Sequence, residues 1–580
     1  MTDARASGGI DLHTSATGRL ALTLVSMAVL SLVAVSGVHA VTSPDELAAF
    51  ADAQLSAAYP PAEPGAAALV RWKGKAVLRK GYGLASVELG VPVTPEQVFE
   101  IGSVTKQFTA AAILLLAERD KLALSDPITK YLPDFPTGDQ TVTLEHLLTH
   151  TSGVPSYTDM PEWQPRWRED MSLETLIGIF RGKPLEFVPG QRWSYSNSGY
   201  VLLGAVIEKA SGKSYEDFVE TEIFAPLGMT HTRYGHQEEL VPGRVEGYAK
   251  GPNGYAPAPY LSLTQPYSAG SLLSTVDDLA RWIDALEADE LLTAASRQRM
   301  LTPATLRGGD QDGLSTRYGF GLQAAEIAGH TAIGHGGGIH GFVSTLSTVP
   351  DEKLQVVILS NNPAGKESPG DLARRIAGKA LGEAAVARVA RTLGAQELDE
   401  YVGVYRVPAA AAERRFLTRD GATLRLQRTG GPIVALSSYS ADRFEGENGM
   451  PVLRFVRDAQ GKVAAVEVDR GTGPIERSPR TDEPLPAARV EVHVDPATYD
   501  AMVGVYELAP GFDLTVFRDG ARLLAQATGQ PALELFPESP TRFFLKEVDA
   551  QIDFVRTGDG PVSGLVLHQG GHDTPGKRKP

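Results

Sequence analysis

Two stretches near the C-terminus of this chain are copies of one another, and that repetition decides how the rest can be divided. Tyr401-Val402-Gly403-Val404-Tyr405 returns as Met502-Val503-Gly504-Val505-Tyr506, and Arg419-Asp420-Gly421 returns as Arg518-Asp519-Gly520. Arg443-Phe444 returns as Arg542-Phe543 and Phe455-Val456-Arg457 as Phe554-Val555-Arg556, so the offsets run 101, 99, 99 and 99 residues. Four ordered matches at nearly constant spacing identify a duplicated unit of about 90 residues. Short alternating runs between turns predict a small antiparallel barrel in each copy, because closure hides the edges that short strands leave open. The copies fall at 396–480 and 491–573, joined by a polar, proline-containing linker at 481–490 within the stretch that opens at Arg480. The final Gly576-Lys577-Arg578-Lys579-Pro580 reads as a solvated basic tail.

Upstream, residues 41–390 alternate helical and strand-like segments and read as one α+β unit. Ala67–Ala85 predicts a hairpin turning at Lys73-Gly74-Lys75. Ser103–Lys121 predicts a helix with Phe108, Ala111, Ala112, Leu115 and Leu116 on one stripe. Further helices are expected at Gly199–Ser211 and at Thr275–Leu286, the latter with Asp277 and Asp278 in its first turn, where the helix dipole favours them. Gly341–Val349 and Leu354–Ser360 read as paired strands.

The first 40 residues are of another kind. A polar stretch ends at Arg19, Leu20–Val38 carries no charge, and Val38-His39-Ala40 offers small residues at the positions a signal peptidase reads. The pattern predicts a signal peptide at 1–40, cut after Ala40, and a periplasmic or secreted protein. An uncleaved inner-membrane anchor is the alternative, since about 20 apolar residues span a bilayer. Lys and Arg number 55 against 70 Asp and Glu, a net charge of −15 that argues against a nucleic-acid partner. The absence of cysteine excludes disulfides, thiolate metal sites and a cysteine nucleophile.

Three short motifs carry chemistry. In Ser103-Val104-Thr105-Lys106 the hydroxyl and the amine lie three residues apart on one helical face, beside free N–H groups at a helix start. A serine hydroxyl is a weak nucleophile until a base takes its proton, and a lysine serves once burial lowers its pKa. In Tyr195-Ser196-Asn197 a phenol able to move a proton stands two residues from an amide able to hold a carbonyl. In Gly334-His335-Gly336-Gly337-Gly338, leading into the strand from Gly341, small residues let a substrate backbone approach. There the N–H of Gly338 can face an oxyanion, and His335 presents a titratable group to a substrate. His335 and His340 have no third metal ligand at a recognisable spacing, and the chain lacks a Gly-x-Ser-x-Gly around Ser103.

Together and in this order, the motifs resemble those of the penicillin-recognising serine hydrolases, in particular the class C β-lactamase and serine DD-peptidase group. Ser103-Val104-Thr105-Lys106, Tyr195-Ser196-Asn197 and His335-Gly336-Gly337 stand for that family's three motifs. Glu100-Ile101-Gly102, His150-Thr151-Ser152-Gly153-Val154-Pro155, Pro226-Leu227-Gly228-Met229 and Ser268-Ala269-Gly270-Ser271 extend the likeness over residues 45–385. The resemblance implies an antiparallel sheet with helices on both faces plus an α-helical region, followed by lipocalin-like barrels. It implies acyl transfer with Ser103 as nucleophile, Lys106 and Tyr195 as proton carriers, and the N–H groups of Ser103 and Gly338 as oxyanion hole. Asn197, His335, Gly336 and Gly337 would bind substrate, a small molecule or peptide, with no metal or organic cofactor. His150 reads as a loop-fixing residue and Trp193 as packing that positions Tyr195. His-Gly-Gly in place of Lys-Thr-Gly places the chain nearer DD-carboxypeptidases, D-amino-acid peptidases and esterases than efficient β-lactamases. A weak β-lactamase and a catalytically degenerate peptide- or peptidoglycan-binding protein are the rival readings. For the barrels, a role in shaping or covering the cleft is favoured over carriage of a small apolar ligand.

Overall fold

A computed structural model describes residues 43–579 apart from 161, 252–253, 366, 383–390, 409–412, 447–450, 472, 488, 510–511, 529–531, 557–561 and 570–571. The signal-peptide reading of 1–40 lies outside the described residues. Among the described residues no helix is long and apolar enough to cross a membrane.

The N-terminal unit is built on one antiparallel sheet. Its strands are β1 (Ala66–Trp72), β2 (Lys75–Tyr82), β3 (Gln323–Ile327), β4 (His330–Ile339), β5 (Phe342–Val349) and β6 (Leu354–Ser360). The spatial order is β3-β4-β5-β6-β1-β2. Every residue of β6 is buried, as befits a strand between two others with both faces covered. β1 shows how one strand serves two cores. Ala67 and Leu69 point into one apolar cluster, while Ala66, Ala68, Val70 and Trp72 point into another, following the period-two alternation of a strand. Helices α1 (Pro44–Ala58) and α5 (Pro369–Ala380) cover the second face. Helices α2 (Thr105–Glu118), α3 (Asn197–Ser211) and α4 (Val276–Glu287) belong to the first.

Two local expectations change. The helix after Ser103 has no single apolar stripe: every residue from Thr105 to Leu116 is buried, since α2 runs through the middle of the first core. Two of its polar side chains find partners there, Gln107 Oε1 accepting from Trp282 Nε1 at 2.8 Å and Thr109 Oγ1 donating to Ser268 O at 2.6 Å. The glycine run 334–338 is not a loop before a strand. It lies inside β4, paired residue by residue with β5 from Ile333↔Thr348 to Ile339↔Phe342.

Both repeats are barrels of antiparallel strands. Among the described residues, the first runs through eight strands from Gly403–Arg406 to Glu476–Pro479, the second through eight from Gly504–Ala509 to His572–Arg578. The first closes through a bridge between Tyr405 and Arg480, the second through Tyr506↔Arg578 and Glu507↔Lys577. The repetition extends to single atoms, for Tyr405 Oη donates to Tyr401 O at 2.8 Å and Tyr506 Oη to Met502 O at 2.7 Å. Arg480 and Arg578 each hold carbonyls of their own barrel's entry segment, Val402 and Val503 respectively. The basic C-terminal run is thus no solvated tail. It continues past 573 as the strand that closes the second barrel, its missing apolar alternation offset by backbone pairing and by the half-buried guanidinium of Arg578, which donates to backbone carbonyls.

Candidate active site

Ser103 stands in a 3-10 turn, Gly102–Val104, that leads into α2, so the helical start is tighter than an α-helix at the serine itself. Glycines let β4 lie directly on this turn. A Cβ on Gly337 would come within 2.0 Å of Ile101 O and 2.3 Å of Ser344 Oγ. One on Gly102, whose φ is +51°, would come within 2.9 Å of Gly338 N. Ser344 Oγ donates to Ile101 O at 2.8 Å and pins the contact. Ser103 and Gly338, on two different elements, thereby border one cleft.

Lys106 lies one turn further on and is 0% exposed. Its Nζ reaches Ser103 Oγ at 3.1 Å, Asn197 Oδ1 at 2.8 Å and Ala269 O at 2.8 Å. The Tyr195 and Tyr200 rings face the amine at 4.8 and 5.4 Å. Burial holds the amine's pKa well below its ordinary value. A neutral amine donates two hydrogens and accepts one, which matches Asn197, Ala269 and the Ser103 hydroxyl. Asn197 is oriented from three sides: its N donates to Ser156 Oγ, its Nδ2 to Thr158 Oγ1, and its Oδ1 accepts from Lys106.

Desolvation pushes the Tyr195 phenol up, and the nearby Ser103 hydroxyl opposes that rise. Its loop is set by His150, a residue with φ +58° whose carbonyl accepts from Ser194 N at 2.9 Å and whose Nδ1 accepts from Ser196 N at 3.1 Å. The His150 ring lies 4.3 Å from that of Tyr195.

His335 and Gly337 are buried while Gly336 and Gly338 are exposed, the alternation of a strand. The His335 ring sits 6.2 Å from that of Tyr195, with Nε2 2.9 Å from Tyr318 Oη and Nδ1 against Gly336 O. Both nitrogens are engaged within the protein. Burial, and then the nearby Lys106, pull its pKa down to about 3. Beside Ser103 opens a cleft of about 130 Å³ walled by Tyr157, Trp163, Leu261, Pro266, Ile339 and His340, with Asn197 and Gly338 at its rim. Sequence reasoning brought Ser103, Lys106, Tyr195, Asn197 and Gly338 to one place. It gave no role to Tyr318, Ala269 O, Thr158 or the aromatic wall. The only trace of Tyr318 in the sequence is its Tyr318-Gly319-Phe320-Gly321 setting, where a Cβ on Gly321 (φ +68°) would fall 2.6 Å from Lys106 O.

A family profile described as Beta-lactamase matches residues 56–381, more than half of the chain. The chain belongs to the β-lactamase family. Within that family it is 27% identical over 519 residues to penicillin-binding protein 4* of Bacillus subtilis, covering 86% of this chain and 92% of that one. Two solved structures share the fold. The octameric penicillin-binding protein homologue from Pyrococcus abyssi is 25% identical with a TM-score of 0.53, covering 75% of this chain and 100% of that one. SurE is 26% identical with a TM-score of 0.51, covering 75% and 98%. Residues 488–578, which include the second barrel, match a domain of unknown function, DUF3471. As a β-lactamase-family protein of this kind, the chain is a serine hydrolase.

Proposed function

We propose that this β-lactamase-family protein hydrolyses amide or ester bonds through an acyl-enzyme on Ser103, its amide substrates being peptides or amides of a D-amino acid. One observation carries the reading: the Lys106 amine, fully buried and held toward its neutral form, stands 3.1 Å from Ser103 Oγ. Ser103 Oγ attacks the carbonyl carbon while its proton moves to Lys106 Nζ and on through Tyr195 to the leaving nitrogen or oxygen, whose bond to the carbonyl carbon breaks. Water then attacks the acyl-enzyme, Tyr195 accepting its proton and Ser103 recovering one. The amide groups of Ser103 and Gly338 hold the oxyanion; losing one such donor typically costs about 10²–10³ in rate. Asn197 has one Nδ2 hydrogen left for a substrate carbonyl.

The cleft wall supports a preference within this chemistry. Among the described residues lining it, none is an arginine, lysine, aspartate or glutamate, and burial lowers the pKa of His340, which favours its neutral form. A neutral aromatic wall suits an apolar acyl side chain, not a free carboxylate. Esters and D-amino-acid amides are therefore expected to turn over faster than a peptide whose terminal carboxylate must enter the cleft. The test is kinetics on a p-nitrophenyl ester, a D-amino-acid amide and a D-alanyl-D-alanine peptide, with Ser103→Ala as control. Loss of all turnover in a folded Ser103→Ala variant supports the assignment, and full activity in that variant overturns it. The reading also places the enzyme outside the cytoplasm, on the apolar run Leu20–Val38 and the small residues before Val41. N-terminal sequencing of exported protein checks it, an N-terminus at Val41 being the expected result.

A further inference from the structure

The first barrel meets the N-terminal unit through Asp469 and Gly473, residues that the acyl-transfer chemistry does not use. At the end of strand Val463–Asp469, the Asp469 carboxylate accepts from both terminal nitrogens of Arg317, at 2.7 and 3.0 Å, and Gly473 O accepts from Arg317 Nε at 2.9 Å. Asp469 and Gly473 thus engage all three guanidinium nitrogens. The pair is largely shielded, with side chains 25% and 19% exposed. Burial raises the Asp469 pKa, but Arg317 outweighs it and holds the carboxyl below its ordinary value.

Arg317 has φ +56°, a conformation that a residue with a Cβ rarely adopts without outside support. The next residue, Tyr318, is 0% exposed, and its N is anchored to Thr316 Oγ1 at 3.1 Å. Gly336 O can only accept, so Nδ1 of neutral His335 carries the ring hydrogen and Nε2 accepts from Tyr318 Oη. Gly473 also backs Trp193. Gly473 has φ +71°, and a Cβ there would come 2.6 Å from the Trp193 ring. That ring lies 6.4 Å from Tyr195 and 6.1 Å from Tyr318.

We propose that Asp469 and Gly473 brace the proton-carrying side of the site, Asp469 holding Tyr318 against His335 through Arg317 and the Gly473 backbone supporting Tyr195 through Trp193. Asp469 and Arg317 are positioning residues; neither lines the cleft nor touches Ser103. The brace rests on the acyl-transfer reading, and its test keeps the two apart.

Acylation and turnover of an activated ester are measured on the full chain as wild type, Asp469→Ala, Tyr318→Phe and the double variant, with circular dichroism as a check on folding. The expected loss in Asp469→Ala is about ten- to a hundredfold in the acylation rate with KM little changed, the scale of a small misplacement at a reacting centre. The double variant should be no slower than the slower of the two single variants, because both act through the same contact. Asp469→Asn, which keeps the shape and one carbonyl acceptor, should fall in between, and it serves if Asp469→Ala fails to fold. A folded Asp469→Ala that acylates at the wild-type rate overturns the brace. So does a double variant whose loss is the product of the single losses. Absence of acylation in wild type defeats the acyl-transfer reading instead. Nitrogen-15 NMR of His335 then decides the brace alone: a ring held as the Nδ1–H tautomer in wild type and a mixed tautomer in Asp469→Ala supports it, and identical spectra overturn it.

Discussion

Lys106 gains its chemistry from where it is buried and from what is missing beside it. Among the described residues no carboxylate shifts its pKa, and desolvation favours the neutral form that can take a proton from Ser103. His335, buried next to it, is kept uncharged by the same burial and then by Lys106 itself. That arrangement links stability to pH. Between about 3, the folded value, and 6.5, the ordinary one, the unfolded chain binds a proton at His335 that the folded chain refuses, so stability falls as pH drops through that window. The slope from one such group is at most about 1.4 kcal/mol per pH unit. His335→Gln should therefore lose stability less steeply than wild type between pH 6.5 and 3, read from urea unfolding at several pH values; equal slopes would contradict a neutral His335. At this scale the site was half legible. Ser103 and Lys106 could be read because a spacing of three on a helix fixes their meeting, and Tyr195 and Asn197 because two residues of extended chain face the same way. Tyr318 and Ala269 O could not, since each meets its partner through tertiary packing across 17 and 163 residues.

β4 is the element on which the site depends, because it must lie against the Ser103 turn with no side chain between them. Gly337→Ala places a methyl 2.0 Å from Ile101 O, so the strand or the turn has to shift. We expect a destabilisation of about 1–3 kcal/mol and a fall in turnover of about a hundredfold, measured by thermal unfolding and ester kinetics. Unchanged turnover would show that the strand does not set the oxyanion geometry. The sequence disguised this strand, because it carries four glycines, normally poor strand formers, two of which, Gly334 and Gly337, are required by close approach of neighbouring backbone. α2 was misread in the opposite sense, its apolar residues looking like one stripe when the helix is buried all round. The closing strand His572–Arg578 was hidden by its charge, which conceals a backbone ladder with the strand Val562–Gln569. Deleting residues 572–580 should leave two open edges and unfold the second barrel while the ester activity of the N-terminal unit survives. A truncated chain with unaltered unfolding would mean that the run is dispensable.

Across the whole molecule the repeat was the most legible feature, because duplication shows in the sequence without knowledge of the fold. What it did not disclose is that the first barrel reaches the site's own loops, Asp469 and Gly473 meeting Arg317 and Trp193. The two barrels touch each other through Ile433 N donating to Glu547 O at 3.3 Å and Asp549 N donating to Gly431 O at 3.5 Å. A single chain of packed units thus runs from the second barrel through the first to the loops carrying Tyr318 and Tyr195. All of this matters to function only if Ser103 is the nucleophile. The measurement that decides it is intact-mass spectrometry of the purified chain after exposure to an uncharged alkyl fluorophosphonate, followed by peptide mapping. A mass gain of one phosphonyl group on Ser103, fluoride having left, and absent from Ser103→Ala, is the predicted result. A folded protein that gains no mass, or gains it at another residue, would contradict the account.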